Sequence, residues 1–162
     1  MNWTPEFLWP LGIASGVAVV VAIAGGVLTE TGAWYDALKK PSWKPPDWAF
    51  GPVWTTIFVL AVIATALAWE AAAGTGARPL IFWALAINAV LNIAWSGIFF
   101  KMRRPDWALA EVVMLWLSIV ALIVVLGAQS LTAGLLMLPY LAWVSVATFL
   151  NYRIVQMNRP FL

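Results

Sequence analysis

Five apolar stretches follow one another along this chain, at residues 7–28, 50–72, 80–100, 107–126 and 131–155, with proline, glycine and charge gathered in the breaks between them. A helix rising 1.5 Å per residue needs about 20 apolar residues to cross roughly 30 Å of hydrocarbon. The runs therefore predict an all-α integral membrane protein, a five-transmembrane-helix bundle with a Pro/Trp-rich loop between helices 1 and 2. Strands are not expected, because a sheet in lipid must close into a barrel of short alternating segments and these runs are long and rich in Ala, Leu and Val. Five spans and short loops use all 162 residues, so 1–162 reads as a single membrane domain. Only 10% of the residues are charged, against about 25% in soluble domains. The first run carries Glu6 and no Lys or Arg before position 39, and reads as a retained helix instead of a secretory signal.

The chain has no cysteine and no histidine. That removes thiolate and imidazole metal sites, disulfides, Cys–His nucleophiles and histidine-ligated haem iron, so no metal and no cofactor are expected. A net charge of +2 would suggest anionic partners in a soluble protein, but in a bilayer the basic residues first report topology, and no nucleic acid partner is expected. Lys39, Lys40, Lys44, Lys101, Arg103, Arg104, Arg153 and Arg159 fall on one side of a five-span arrangement, against Arg78 alone on the other. The expected orientation is N-terminus outside and C-terminus cytoplasmic, in a bacterial cytoplasmic membrane. No internal repeat is visible, which argues against an inverted-repeat transporter.

The first connection contains KPSWKPPDWAFGPVW, residues 40–54. Pro41, Pro45, Pro46 and Pro52 fix φ and keep the preceding residues out of helix, so this loop is stiff. Trp34, Tyr35, Trp43, Trp48 and Trp54 line it; Trp3, Trp9, Trp69, Trp83 and Trp107 lie near helix ends. An aromatic belt at the headgroup level explains the second set. It does not require prolines, and a prefolded aromatic loop across one end of a bundle has the makings of a lid or pocket wall.

Polar side chains mark the inward faces. Asn88, Asn92, Trp95, Ser96 and Phe99 share one face of the third span; Trp54, Phe58, Ala61 and Thr65 share one in the second. Pro139, Trp143, Ala147 and Leu150 form a stripe on the fifth, with Asn151 beside it. These faces serve either as interhelical glue or as the lining of a cavity for a flat aromatic guest. Lys39, Lys40 and Lys44 are candidates for the guest's carboxylates. Glu111, about one turn into the fourth span, is expected near Arg103 and Arg104, where it can snorkel or pair. Gly12 and Gly16 form a G-x-x-x-G, read as close packing within the bundle or in a homodimer.

Several of these segments also resemble one family. Trp34-Tyr35, the run Leu38 to Pro46, Gly51-Pro52-Val53-Trp54-Thr55, LNIAWSGIFF at 91–100, Trp107-Ala108-Leu109 with Glu111, and LPYLAWVSVATFLNY at 138–152 are similar, in order and spacing, to the translocator protein family of tryptophan-rich sensory proteins and peripheral-type benzodiazepine receptors. The resemblance implies a cavity capped by the first loop that binds protoporphyrin IX or isoquinoline-type ligands. It implies contacts from Trp54, Trp143, an Asn of the third span and Ala147. Taken with the lid and the inward faces, the candidate site is Trp34, Trp43, Pro46, Trp54, Phe58, Asn88, Asn92, Trp95, Trp143, Ala147 and Leu150. Three functions stay open: porphyrin binding in sensing, stress response or trafficking; light-dependent porphyrin breakdown with Trp54 and Trp143 as redox partners; and transport of tetrapyrroles or sterols. The family's cholesterol pattern is not met, since Arg153 directly follows Tyr152 and Arg159 lies beyond its reach, which argues against sterol binding through it.

Overall fold

The architecture is that of a computed structural model describing residues 5–161; Trp3 lies outside that range. Five helices are long and apolar enough to cross a membrane. They are α1 (Pro5–Leu28), α3 (Asp47–Ala71), α4 (Arg78–Ser96), α5 (Pro105–Gln129) and α7 (Leu138–Asn158), with short helices α2 (Ala33–Ala37) in the first loop and α6 (Leu131–Leu136) before α7. The protein is an all-helical, multi-pass integral membrane protein.

Helix α5 is the hub, lying against α3, α4, α6 and α7. Its fully enclosed residues Ala108, Val112, Leu115, Ile119, Leu122 and Leu126 alternate spacings of four and three, the seam that lets neighbouring helices pack knobs into holes. Helix α3 offers Ala61, Ala64 and Ala68, continued by Ala72 at its C-cap, at intervals of four or three, small enough for close backbone approach in lipid. Helix α1 rests on α3 and α4 and turns most of its surface to lipid. Gly12 and Gly16 lie on that outer surface with open space where a Cβ would stand, so they do not pack within the bundle. The α1 glycine near α4 is Gly25, opposite Ser96.

Two helix ends depart from the expected regular runs. After Ser96 the chain widens into a π-helical turn, Gly97–Lys101, in which the consecutive Phe99 and Phe100 are both buried. The last span is broken at Met137, because Pro139 has no N–H to continue the ladder; the bonds run instead from Met137 N–H to Gly134 and from Leu141 N–H to Met137. Ser130 caps α6 by accepting from the Ala133 N–H.

Candidate functional site

Helices α3 and α7 approach each other chiefly through aromatic side chains. Phe50 and Trp54, four apart on α3, face Trp143 and Tyr140, three apart on α7. The Phe50–Trp143 rings meet edge to face at 5.2 Å and Trp54–Tyr140 at 5.9 Å. Trp54 also stacks on Phe58, one turn along, at 5.5 Å. These two rungs bring Trp54, Phe58 and Trp143 into one group with Tyr140, and all three are half-buried.

Behind the rungs runs a directed hydrogen-bond chain. The Asn92 amide donates to the Tyr140 hydroxyl (2.8 Å), which donates to the Asn88 carbonyl (3.3 Å). Asn88 donates to Ser118 Oγ (2.9 Å), and Ser118 to the Leu115 carbonyl (2.7 Å). Both amides of α4 thus tie it to α5 and α7 while standing directly beside the aromatic group, so glue and lining coincide in the same residues. Asn151, 1% exposed, bridges α7 to the first turn of α5, its amide donating to the Pro105 carbonyl (3.2 Å) and accepting from the Leu109 N–H (3.0 Å).

The first loop covers this end of the bundle and is fastened at four points. Glu30 pairs with Lys101. That bond holds the Glu30 carboxyl below the usual carboxylate range. Trp34 and Tyr35 of α2 pack edgewise on Phe99, at 6.2 and 6.5 Å. Asn158 closes on the Lys39 backbone with both amide atoms, accepting from its N–H and donating to its carbonyl, each at 2.8 Å. Trp43 stacks on Phe149 at 5.2 Å, with the planes 14° apart. Burial pushes the Tyr35 phenol up to about 12, with Asp47 and Asp36 adding to the shift.

Asn158→Ala removes a pair of side-chain bonds that mimics strand pairing on the Lys39 backbone. Amide exchange across residues 37–44 should accelerate roughly tenfold, about one net hydrogen bond. Exchange in the buried turns of α5 should be unchanged, which hydrogen-exchange mass spectrometry reads directly.

Not every candidate joins the group. Trp43 is 44% exposed and lies against the outer face of α7. Pro46 is exposed as the N-cap of α3, and Pro139 is exposed on α7. Trp34, Trp95 and Leu150 belong to a second cluster with Tyr35, Phe99 and Phe100 under the loop; Trp95 also packs against the first, joining the two. Ala147 is half-buried on α7, one turn beyond Trp143. Of the three lysines proposed for a guest's carboxylates, two have their ammonium groups engaged otherwise. Lys40 donates to the Tyr35 and Leu38 carbonyls over the Tyr35 ring, Lys44 pairs with Asp47, and the Lys39 backbone is held by Asn158.

Glu111 corrects the expectation of an arginine partner. Arg104 instead grips Asp106 with two nitrogens, at 2.9 and 2.6 Å, which raises the guanidinium further above its ordinary value. Arg103 lies over the Trp34 ring at 6.0 Å. Sequence reasoning also missed Tyr140, the hinge of the hydrogen-bond chain; the signal available was a hydroxyl one residue from the chosen stripe.

Two hollows lie away from the rungs. One, of about 220 Å³, sits at the loop end between Glu30, Trp34, Phe100 and Arg103. The other, of about 500 Å³, is an outer groove between α5 and α7 lined by Leu109, Val113, Trp116, Ser145, Phe149 and Tyr152. Neither includes Trp54 or Trp143, whose rings rest on neighbouring rings.

A five-span helical bundle, closed at one end by an aromatic loop and carrying tryptophan on its inner faces, defines a class of small polytopic membrane proteins. The chain belongs to the TspO/MBR family, whose model matches residues 14–157. It is 40% identical to the tryptophan-rich protein TspO of Chlorobaculum tepidum, over 91% of this chain and 95% of that one. It is 34% identical to the tryptophan-rich sensory protein of Cereibacter sphaeroides, covering 93% and 92%. It is also 34% identical to the translocator protein of Homo sapiens, covering 93% and 88%.

Proposed function

We propose that the protein binds a flat aromatic guest, protoporphyrin IX or a related tetrapyrrole, between the aromatic rungs of α3 and α7, in a sensing or trafficking role at the membrane. The observation that carries this reading is the facing of Phe50 and Trp54 on Trp143 and Tyr140, beneath a loop fastened before any guest arrives. In the closed arrangement the rings contact one another, so a guest enters by exchanging ring–ring for ring–guest contacts of the same kind and strength. A pre-ordered lid lowers the ordering cost of that exchange. The names of the relatives, sensory protein and translocator protein, agree with a role in sensing or transport. Eight of the nine basic residues lie at the loop end or near it, which supports a cytoplasmic placement for that end and for the C-terminus. Gly12 and Gly16, bare on the outer face of α1, are the proposed contact of a homodimer.

Titrating protoporphyrin IX into the purified protein in the dark, with tryptophan fluorescence as the readout, tests the reading. Quenching should saturate at low micromolar ligand and be competed by an isoquinoline carboxamide. Quenching that rises linearly with ligand and ignores the competitor would assign the signal to partition into detergent.

A further inference from the structure

The hydrogen-bond chain along α4 stops one step short of two buried polar groups. Asn88 and Ser118 bond across the antiparallel α4–α5 seam. Seven residues along each helix, two turns or about 10.5 Å, bring Trp95 and Glu111 to the same level on the same faces. Phe99 and Ala108, one turn further, share a cluster, as that register requires. Trp95 Nε1 and both Glu111 carboxyl oxygens are shut away from the surface and have no hydrogen-bond partner among the described residues. The neighbouring cations are committed elsewhere: Arg104 to Asp106, Lys101 to Glu30 and Arg103 to the Trp34 face. Helix association does not account for the pair, because the side chains that tie these helices, Asn88, Asn92 and Asn151, all have partners. Buried polar groups left unpaired by the protein are costly, and within a membrane such ionisable groups mark ligand paths.

We propose that Trp95 and Glu111 form a two-point recognition site for a lactam or cis-amide edge, the indole N–H donating to the guest's carbonyl and the Glu111 carboxyl accepting from the adjacent N–H. The inference rests on the reading that the bundle takes flat aromatic guests. Trp95 is the right residue for it, since it packs against both the cluster that holds Trp54 and Trp143 and the cluster under the loop. Stacking accepts any flat ring; this pair adds a preference for one with a donor and an acceptor side by side on its rim.

The probes are 2-quinolone and 1-methyl-2-quinolone, flat lactams in the second of which a methyl replaces the N–H hydrogen, titrated by tryptophan quenching. The unmodified protein should favour 2-quinolone by about tenfold. Glu111→Leu, of similar volume, should bring the two within about twofold, and Glu111→Gln, which keeps an acceptor, should retain the preference. Trp95→Phe should weaken both probes by a similar factor, because both carry the carbonyl. Equal affinities in the unmodified protein, or a preference that survives Glu111→Leu, overturn the assignment. If protoporphyrin binds saturably while the quinolones are not distinguished, only the Trp95–Glu111 site falls. If neither probe nor protoporphyrin binds, the guest pocket falls with it.

Discussion

Gly134→Ala should cost the bundle much of its stability, while Gly127→Ala leaves it nearly intact. The two glycines face each other where α5 turns into α6, but they are not equivalent. A Cβ on Gly134 would stand 2.8 Å from the Gly127 Cα, 3.1 Å from the Ile123 carbonyl oxygen and 3.3 Å from the Gly127 nitrogen, all backbone atoms. No rotamer relieves such a clash, so α6 must move off α5 and take the start of α7 with it. On Gly127 the added methyl would meet Gly134 at 3.6 Å, ordinary contact. Overpacking of this kind costs about 1–3 kcal/mol, and at roughly 2–4 °C per kcal/mol for a chain of this size the melting temperature should fall by about 2–12 °C. Differential scanning fluorimetry in one detergent compares the pair. Equal melting temperatures for the two variants would mean that the α5–α6 crossing is looser than described.

Trp54→Leu and Trp143→Leu should each weaken protoporphyrin binding about five- to thirtyfold, the equivalent of about 1–2 kcal/mol for an aromatic face lost from the guest. Leucine keeps apolar volume, so the change isolates the ring. The two residues stand on adjacent rungs and touch a common set of rings, so their effects should not add fully. Trp48→Leu is the matched control, since Trp48 stands at the start of α3, is 77% exposed and takes no part in the ring contacts of the rungs. Dissociation constants that change equally for all three variants would point to a general loss of the membrane-embedded fold.

The spans were legible because run length alone identifies a helix that must satisfy its backbone in lipid. Their inward faces were only partly so. A helix apolar on every side shows no hydrophobic period, and its polar side chains become the only markers of the interior. Asn88 and Asn92 marked α4 correctly for that reason. On α7 the expected stripe of Pro139, Trp143, Ala147 and Leu150, with Asn151 beside it, meets the interior at Leu150 and Asn151, whereas the other enclosed residues are Tyr140, Val144, Ile154 and Val155. Tyr140 lies one position from that stripe, and aromatic residues gave no sign of which indole or phenol turned inward.

The prolines make the loop stiff, yet its contacts stay hidden in the sequence, because prolines fix local direction and carry no information about which distant residue a turn will meet. Trp43 consequently went to Phe149, and Lys39 to Asn158, across 119 positions of sequence. The failure over Glu111 has a local cause. Arg104 found a carboxylate two residues away in Asp106, at the helix start, before one a full turn further could compete.

Fluorine NMR of the protein labelled with 5-fluorotryptophan, recorded across a protoporphyrin titration in nanodiscs and assigned with single Trp→Phe variants, tests the inner site most directly. The Trp54 and Trp143 resonances should shift together and saturate at one equivalent, with Trp95 following and Trp9, Trp48 and Trp83 still. Shifts confined to Trp116, which lines the outer α5–α7 groove, and Trp43, which stacks on its Phe149, would contradict the account and put the guest on the lipid-facing side.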